Sequence, residues 1–196
     1  NGLTSAFSSG AVTLETNSLT LAMSATQQSL LARAIAAATA GEDITVNAGV
    51  TIQTTTGNLV LEAGDQITLQ PGSIVEAAAT EVILRSGLGD TDNTGGMTLN
   101  GTLRALAAGQ SVTLDLNDKQ GATQNAATGA ILAPNLRLIS NTATTASFSL
   151  LAAGRNDVDV LAANTSGAVT YRDLDDLTIG SIAAIAGIST FNSASE

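Results

Sequence analysis

The feature that most limits what this chain can fold into is a short word, an apolar residue, then Thr, then another apolar residue. It is written as Val12-Thr13-Leu14, Leu19-Thr20-Leu21, Ile44-Thr45-Val46, Val50-Thr51-Ile52, Ile67-Thr68-Leu69, Met97-Thr98-Leu99, Val112-Thr113-Leu114, Val169-Thr170-Tyr171 and Leu177-Thr178-Ile179. Strict alternation over so few residues is the period of a strand with one buried face, and the β-branched Thr suits the outer side. Each word is read as a short strand with two residues in and one out.

The words are also regularly spaced. Residues 42–64 align without a gap on residues 65–87, so that Ile44 falls on Ile67, Thr45 on Thr68, Gly49 on Gly72, Ile52 on Val75, Leu59 on Val82 and Leu61 on Leu84. This defines a 23-residue unit whose first and last strands start fifteen residues apart, at Ile44 and Leu59, at Ile67 and Val82, and again at Met97 and Val112. Toward the C-terminus a looser series runs through Leu138, Val158 and Leu177. Units of this length form single turns of a parallel coil whose backbone pairs with the turns above and below. At ~4.8 Å per turn the chain would make about eight coils and a rod on the order of 40 Å long.

Residues 88–96 and 117–130 break the period with polar and Gly-rich sequence, which maps to loops bulging from the stack. Pro71 and Pro134 sit beside turn residues. No stretch reads as a linker, so residues 1–196 are one all-β solenoid domain. Its start at Asn1-Gly2-Leu3 is neither an initiator Met nor a signal peptide and reads as a processed product or a piece of a larger protein.

Residues 24–40 depart from the β pattern. Ser24-Ala25-Thr26-Gln27 matches a capping box, Leu30, Leu31, Ala34, Ile35 and Ala38 share a helical face, and Gly41 suits a helix end. A short helix over about 26–39, packed on the solenoid flank or covering an open end, is the expectation.

Composition agrees with a narrow core and removes several functions. Aromatic residues are 2% of the chain and Trp is absent, so Leu, Ile, Val and Ala must fill the interior. Seven basic residues face seventeen acidic ones, a net charge of -10, and Lys119 is the sole lysine, which leaves no basic stripe for nucleic acid. The absence of both His and Cys removes disulfides, zinc sites and Ser-His or Cys-His nucleophiles. No run approaches the ~20 apolar residues of a membrane-spanning helix.

Two stretches, Gly57-Asn58-Leu59-Val60-Leu61-Glu62-Ala63-Gly64 with Ile67-Thr68-Leu69, and Ser166-Gly167-Ala168-Val169-Thr170-Tyr171 with Asp175-Asp176-Leu177-Thr178-Ile179-Gly180, carry a resemblance. Over residues 42–190 the chain resembles the filamentous haemagglutinin-like exoproteins, β-strand-repeat adhesins secreted by Gram-negative bacteria through two-partner or related routes. The resemblance implies a right-handed parallel β-helix, export to the bacterial cell surface or outer membrane, and adhesion, aggregation or biofilm formation. Its implied partners are a host or neighbouring cell surface, or matrix polysaccharide. It brings no catalytic residues with it.

Sharper possibilities stand beside this one. A β-helical enzyme acting on acidic polysaccharide would need carboxylates for Ca²⁺ and a nearby cation, and the nearest matches are Arg172 with Asp173, Asp175 and Asp176, then Arg155 with Asp157 and Asp159. Their alternation along strands and turns is also that of a solvated face. Tyr171, the sole Tyr, is predicted to point inward. Asp90, Asp92 and Asn93 lie in a loop ending at Gly95 that resembles the start of a Ca²⁺ loop but lacks its acidic fifth and twelfth positions, so a plain polar turn competes with weak Ca²⁺ binding. The outward Thr45, Thr68, Thr98 and Thr113 are candidate interaction residues, although neighbours such as Asp43, Asn47, Gln66 and Gln70 favour a hydrated face over an ice-binding one. The apolar run from Ile182 to Ile188 lacks a charged cap, which leaves self-association into filaments as a further class.

Overall fold

In a computed structural model, the structure describes residues 11–16, 19–21, 25–27, 29–34, 42–89, 95–117, 120–140, 146–152 and 154–191. Strand β1 (Ala11–Thr16) is followed by β2 (Leu19–Leu21), β3 (Ala25–Gln27) and β4 (Ser29–Ala34), which form one coil. The next three coils are β5 (Ile44–Val46), β6 (Thr51–Thr54) and β7 (Leu59–Ala63), then β8 (Ile67–Leu69), β9 (Ile74–Ala77) and β10 (Val82–Ser86), then β11 (Met97–Leu99), β12 (Thr102–Ala105) and β13 (Ser111–Leu116). In the following coils β14 (Ala122–Gln124) leads into β15 (Ala130–Ser140), and β16 (Phe148–Leu150) into β17 (Asp157–Thr165). The last coil holds β18 (Val169–Tyr171), β19 (Thr178–Ile179), a hairpin of β20 (Ser181–Ile182) and β21 (Ile185–Ala186), and β22 (Ile188–Thr190).

Among the described residues every pairing between coils is parallel, and only the hairpin is antiparallel. The coils stack through three ladders. The first holds β2, β5, β8, β11, β14, β16 and β18, the second β3, β6, β9 and β12, and the third β1, β4, β7, β10 and β13. The eleven-residue β15 serves two ladders: Ala130–Leu132 pair with β12, and Asn135–Ser140 pair with β13. The chain turns the corner at Pro134, whose missing N–H is no loss where pairing changes partner. The fold is therefore an all-β solenoid of about six turns, followed by the short, irregular strands of β18–β22.

The 23-residue unit has the register its spacing predicts. Ile44 pairs with Ile67, Ile52 with Val75, Leu59 with Val82 and Leu61 with Leu84. Gly49 and Gly72 occupy equivalent turns at φ +71° and +78°, a region that L side chains enter only with strain. Inward residues stack into apolar files, of which Leu30, Leu59, Val82, Val112, Leu136 and Leu161 form one. Each buried Leu or Ile contributes about 1.5–3 kcal/mol, so the narrow core needs no row of aromatic anchors, and among the described residues Phe148 is the largest fully buried side chain.

Four expectations need correction. The helix over 26–39 is absent from the described part of that segment: Ala25–Gln27 and Ser29–Ala34 are strands, paired with β6 and β7. Leu30, Ala32 and Ala34 point in, so a parallel ladder overrides a local pattern that also suited a helix. Residues 35–40 lie outside the described residues. Successive first-ladder strands start 25, 23, 30, 25, 26 and 21 residues apart, so insertions consume chain that a uniform unit would have turned into about eight coils. The C-terminal series through Leu138, Val158 and Leu177 is not a register either, since Leu138 pairs with Ala163 and Val158 with Ala133. Residues 117–130 are more than a loop, because β14 lies within them.

One corner of the later coils is polar. Gln124 stands in the inward file between Leu99 and Leu150, and Asn156 beside it is fully buried. Gln124 Nε2 donates to Asn156 Oδ1 at 2.7 Å, and Asn156 Nδ2 donates to Gln124 Oε1 at 3.0 Å and to the Arg172 carbonyl at 3.0 Å. The backbone N–H of Ile131 donates to Asn156 Oδ1 and that of Ala152 to Gln124 Oε1. The pair thus satisfies backbone groups that the corner takes out of the ladder and ties three coils together.

Candidate interaction face

The first ladder exposes one residue per three-residue strand, and register places these residues in a single file. Thr20 lies beside Thr45, Thr45 beside Thr68, Thr68 beside Thr98, Thr98 beside Thr123, Thr123 beside Ser149 and Ser149 beside Thr170. Three of the candidate residues, Thr45, Thr68 and Thr98, are thereby consecutive members of one column of hydroxyls. Thr113 is not among them. It lies on β13 in the third ladder, is 1% exposed and accepts a hydrogen bond from Arg137 Nε at 3.2 Å, so it is unavailable as a contact residue.

Thr123 and Ser149 complete the column and escape the sequence pattern because Gln124 replaces an apolar residue in one word and Ser replaces Thr in the other. The 25-residue step from Thr98 to Thr123 is the signal that marks them. A second file runs beside the hydroxyls. The N–H groups of Gln70, Asn100 and Asn125 donate to the carbonyls of Val46, Leu69 and Leu99, extending the ladder by one residue and stacking Asn47, Gln70, Asn100 and Asn125. Asn125 also shapes its turn by accepting from Ala127 N and Thr128 N. On the other side Gln66 Nε2 donates to Thr98 Oγ1 at 2.8 Å, and Gln66 N–H donates to Asp43 Oδ1. The face is therefore a grid of mostly hydroxyls and amides repeating every ~4.8 Å along the rod, with charge only toward its margins, at Asp43 and Arg172 among the described residues.

Charge is arranged on the other two ladders. On the third, Glu62 accepts from Arg33 Nε at 2.5 Å and from Arg85 at 2.6 Å, and Arg85 reaches Asp115 at 3.6 Å. Burial raises the Glu62 pKa, but the hydrogen bonds and charges of Arg33 and Arg85 outweigh it and hold the carboxyl below its usual value. Burial of Asp115 prevails over Arg85 and Arg137 and lifts its pKa. On the second ladder Glu76 accepts from Gln53 at 2.5 Å and from Arg104 at 3.3 Å.

No family model, curated protein or solved structure matches this chain.

The acidic clusters near the C-terminus are not drawn into one site. Arg155 donates to the carbonyls of Gly129 and Thr128, and Arg172 is exposed. Tyr171 is partly buried against the core, as expected, and its hydroxyl donates to Asp173 Oδ1 at 2.7 Å. Burial raises the Asp173 pKa, with Asp175 and Asp157 adding to the effect against the hydrogen bonds from Tyr171 and the Val158 N–H. Burial, then the Asp173 hydrogen bond, pushes the Tyr171 phenol up as well. Among the described residues no three acidic side chains are grouped to hold a metal ion. Asp90, Asp92 and Asn93, the possible Ca²⁺ ligands, lie outside the described residues.

Proposed function

We propose that this chain is part of an extracellular structural rod that mediates adhesion, with the first-ladder face as its contact surface. The observation that carries the reading is the unbroken column from Thr20 to Thr170 beside the amide file from Asn47 to Asn125. Such a grid offers neutral hydrogen-bond donors and acceptors at fixed intervals, with little charge among them, which suits hydroxyl-rich, neutral polysaccharide chains of a cell surface or matrix. Many weak contacts along one rigid axis add by avidity. The protein's net charge of -10 disfavours anionic polymers and keeps such rods dispersed.

Beads coated with the protein should be retained on a neutral polysaccharide layer, and replacing both Thr68 and Thr98 with Glu should release them while the β-rich circular dichroism spectrum persists. Equal retention of the variant would refute this face as the contact.

A second reading, assembly into filaments, is favoured by the last coil, where Ile179 and Ile188 are about half exposed and Phe191 is also exposed. Sedimentation that stays monomeric across a wide concentration range would remove it.

A further inference from the structure

The second ladder ends in a groove that its charge pattern leaves unfinished. Register aligns Gln53, Glu76, Arg104, Leu132 and Asp157 in one outward file, and Pro134 and Asp159 two residues further along. In the earlier coils the carboxylate of this file, Glu76, is met on both sides by a donor. Asp157 and Asp159 are exposed and enter no ion pair among the described residues, because Arg104 is held by Glu76 and Arg155 by two backbone carbonyls. Beside them Leu106, 54% exposed, joins Leu132 and Pro134 as an apolar floor, and the groove is open to solvent and offers about 240 Å³.

That volume is below the ~300–1,000 Å³ usual for small-molecule pockets and is of the scale of long side chains. The wall and floor ask for different parts of one side chain: a methylene stem over Leu106, Leu132 and Pro134, and a cationic head at the carboxylates. Asp157 and Asp159 are two residues apart on a strand, about 6.6 Å between Cα atoms, which is also the repeat of alternate side chains in any extended peptide. Two cationic heads at that spacing would each meet one carboxylate.

We infer that this groove binds an extended basic segment of a partner protein, one that carries Lys or Arg at alternate positions. The inference deepens the reading of the rod as a contact surface and rests on that reading, but it uses residues on a different ladder. The net charge draws such a segment in, and the groove selects its spacing.

Fluorescence anisotropy with a labelled Gly-Arg-Leu-Arg-Gly peptide tests this directly. The expected result is saturable binding that weakens at least tenfold in the D157N/D159N variant. A D175N/D176N variant loses the same charge outside the groove and should bind like the parent protein. Leu106→Arg, which supplies a cation in place, should abolish binding and decides the matter if the double Asn variant fails to fold. A peptide with the two Arg residues three apart should bind several-fold more weakly. Equal losses in the two double variants, or equal affinity for the two spacings, would overturn the inference in favour of unspecific charge attraction. Retention of coated beads on neutral polysaccharide should be unchanged in D157N/D159N, so failure of the groove and failure of the adhesive face are read separately.

Discussion

Along the coils from β4 to β13, arginines and glutamates come in closed files, whereas from β17 onward outward charges do not. Arg33, Glu62, Arg85 and Asp115 alternate in sign on the third ladder, and Glu76 sits between Gln53 and Arg104 on the second. In the later coils Arg155 serves backbone carbonyls, while Asp157, Asp159, Asp175 and Asp176 take no part in ion pairs among the described residues. The interiors differ too. The middle files are apolar apart from small hydroxyls such as Thr54 and Ser86, but the later corner is built on Gln124 and Asn156, and the last coil leaves Leu174, Ile179 and Ile188 exposed. One backbone ladder runs through both regions, so stacking does not depend on the side-chain scheme. What the scheme decides is whether a stretch of surface is complete in itself or open to a partner.

The contrast can be broken most forcefully from the core. Leu84→Ala in the middle stack should cost about 2–5 kcal/mol, measured by denaturant unfolding, because both neighbouring coils pack on the cavity it leaves. Asn156→Ala should cost about 2–4 kcal/mol by orphaning the Gln124 amide and the Ile131 N–H. Hydrogen exchange should show that loss in residues 146–171 with little change in 59–86, since coils feel mainly their neighbours. A uniform loss across the rod would mean that the two regions fold as one unit.

Glu62→Gln should cost less, about 1–2 kcal/mol, because its Arg partners are partly solvated. The same pair of regions should respond to acid in opposite directions. The Glu62 pKa is lowered by folding, so its contribution is present above the ordinary carboxylate range and disappears as pH falls through the lowered value. The Asp173 pKa is raised by folding, so its contribution is full below that range and is lost as pH rises through the raised value. Acidification from neutrality should therefore first tighten exchange around β18, and only at lower pH loosen β7 and β10. Asp115, also raised, should partly offset the latter.

The smallest effect is a gain. Ala183, in the turn of the C-terminal hairpin, is the one non-Gly residue at positive φ among those described, at 52°. Ala183→Gly should relieve that strain and raise stability by about 1 kcal/mol, read as a small increase in Tm.

The solenoid and much of its register were legible because branched apolar residues and Thr alternate with high contrast in residues 42–116. Legibility fell where contrast fell. In Ser29–Ala34 the run Leu-Leu-Ala-Arg-Ala satisfies a two-residue and a helical period alike over so short a span, and only the neighbouring β7 decides between them. Near the C-terminus Ala163 takes the place of a branched residue opposite Leu138, so a series built on larger side chains slipped. The hydroxyl column was half visible: Thr45, Thr68 and Thr98 share the word and the ladder, while Thr113 shares only the word. Asp157 and Asp159 stood out in the sequence as an alternating acidic pair beside Arg155, but the groove they border did not, because Leu106 and Pro134 reach it from other coils. Gln124 and Asn156 look like loop residues until the corner that needs them is seen.

The orientation of the ladders also has a mechanical consequence. Their hydrogen bonds run along the rod, so a pull on its ends loads the junctions between coils in series. Each junction resists with three short ladders at once, and the assembly yields at its weakest one. The last junction, where β19 and β22 hold β17 through only two and three residue pairs on either side of the hairpin, is that point. A coil that lets go releases roughly 20–25 residues, about 70–80 Å of extended chain, before the next is tested. Under tension the rod would lengthen in steps and stay attached, behaving as a shock absorber.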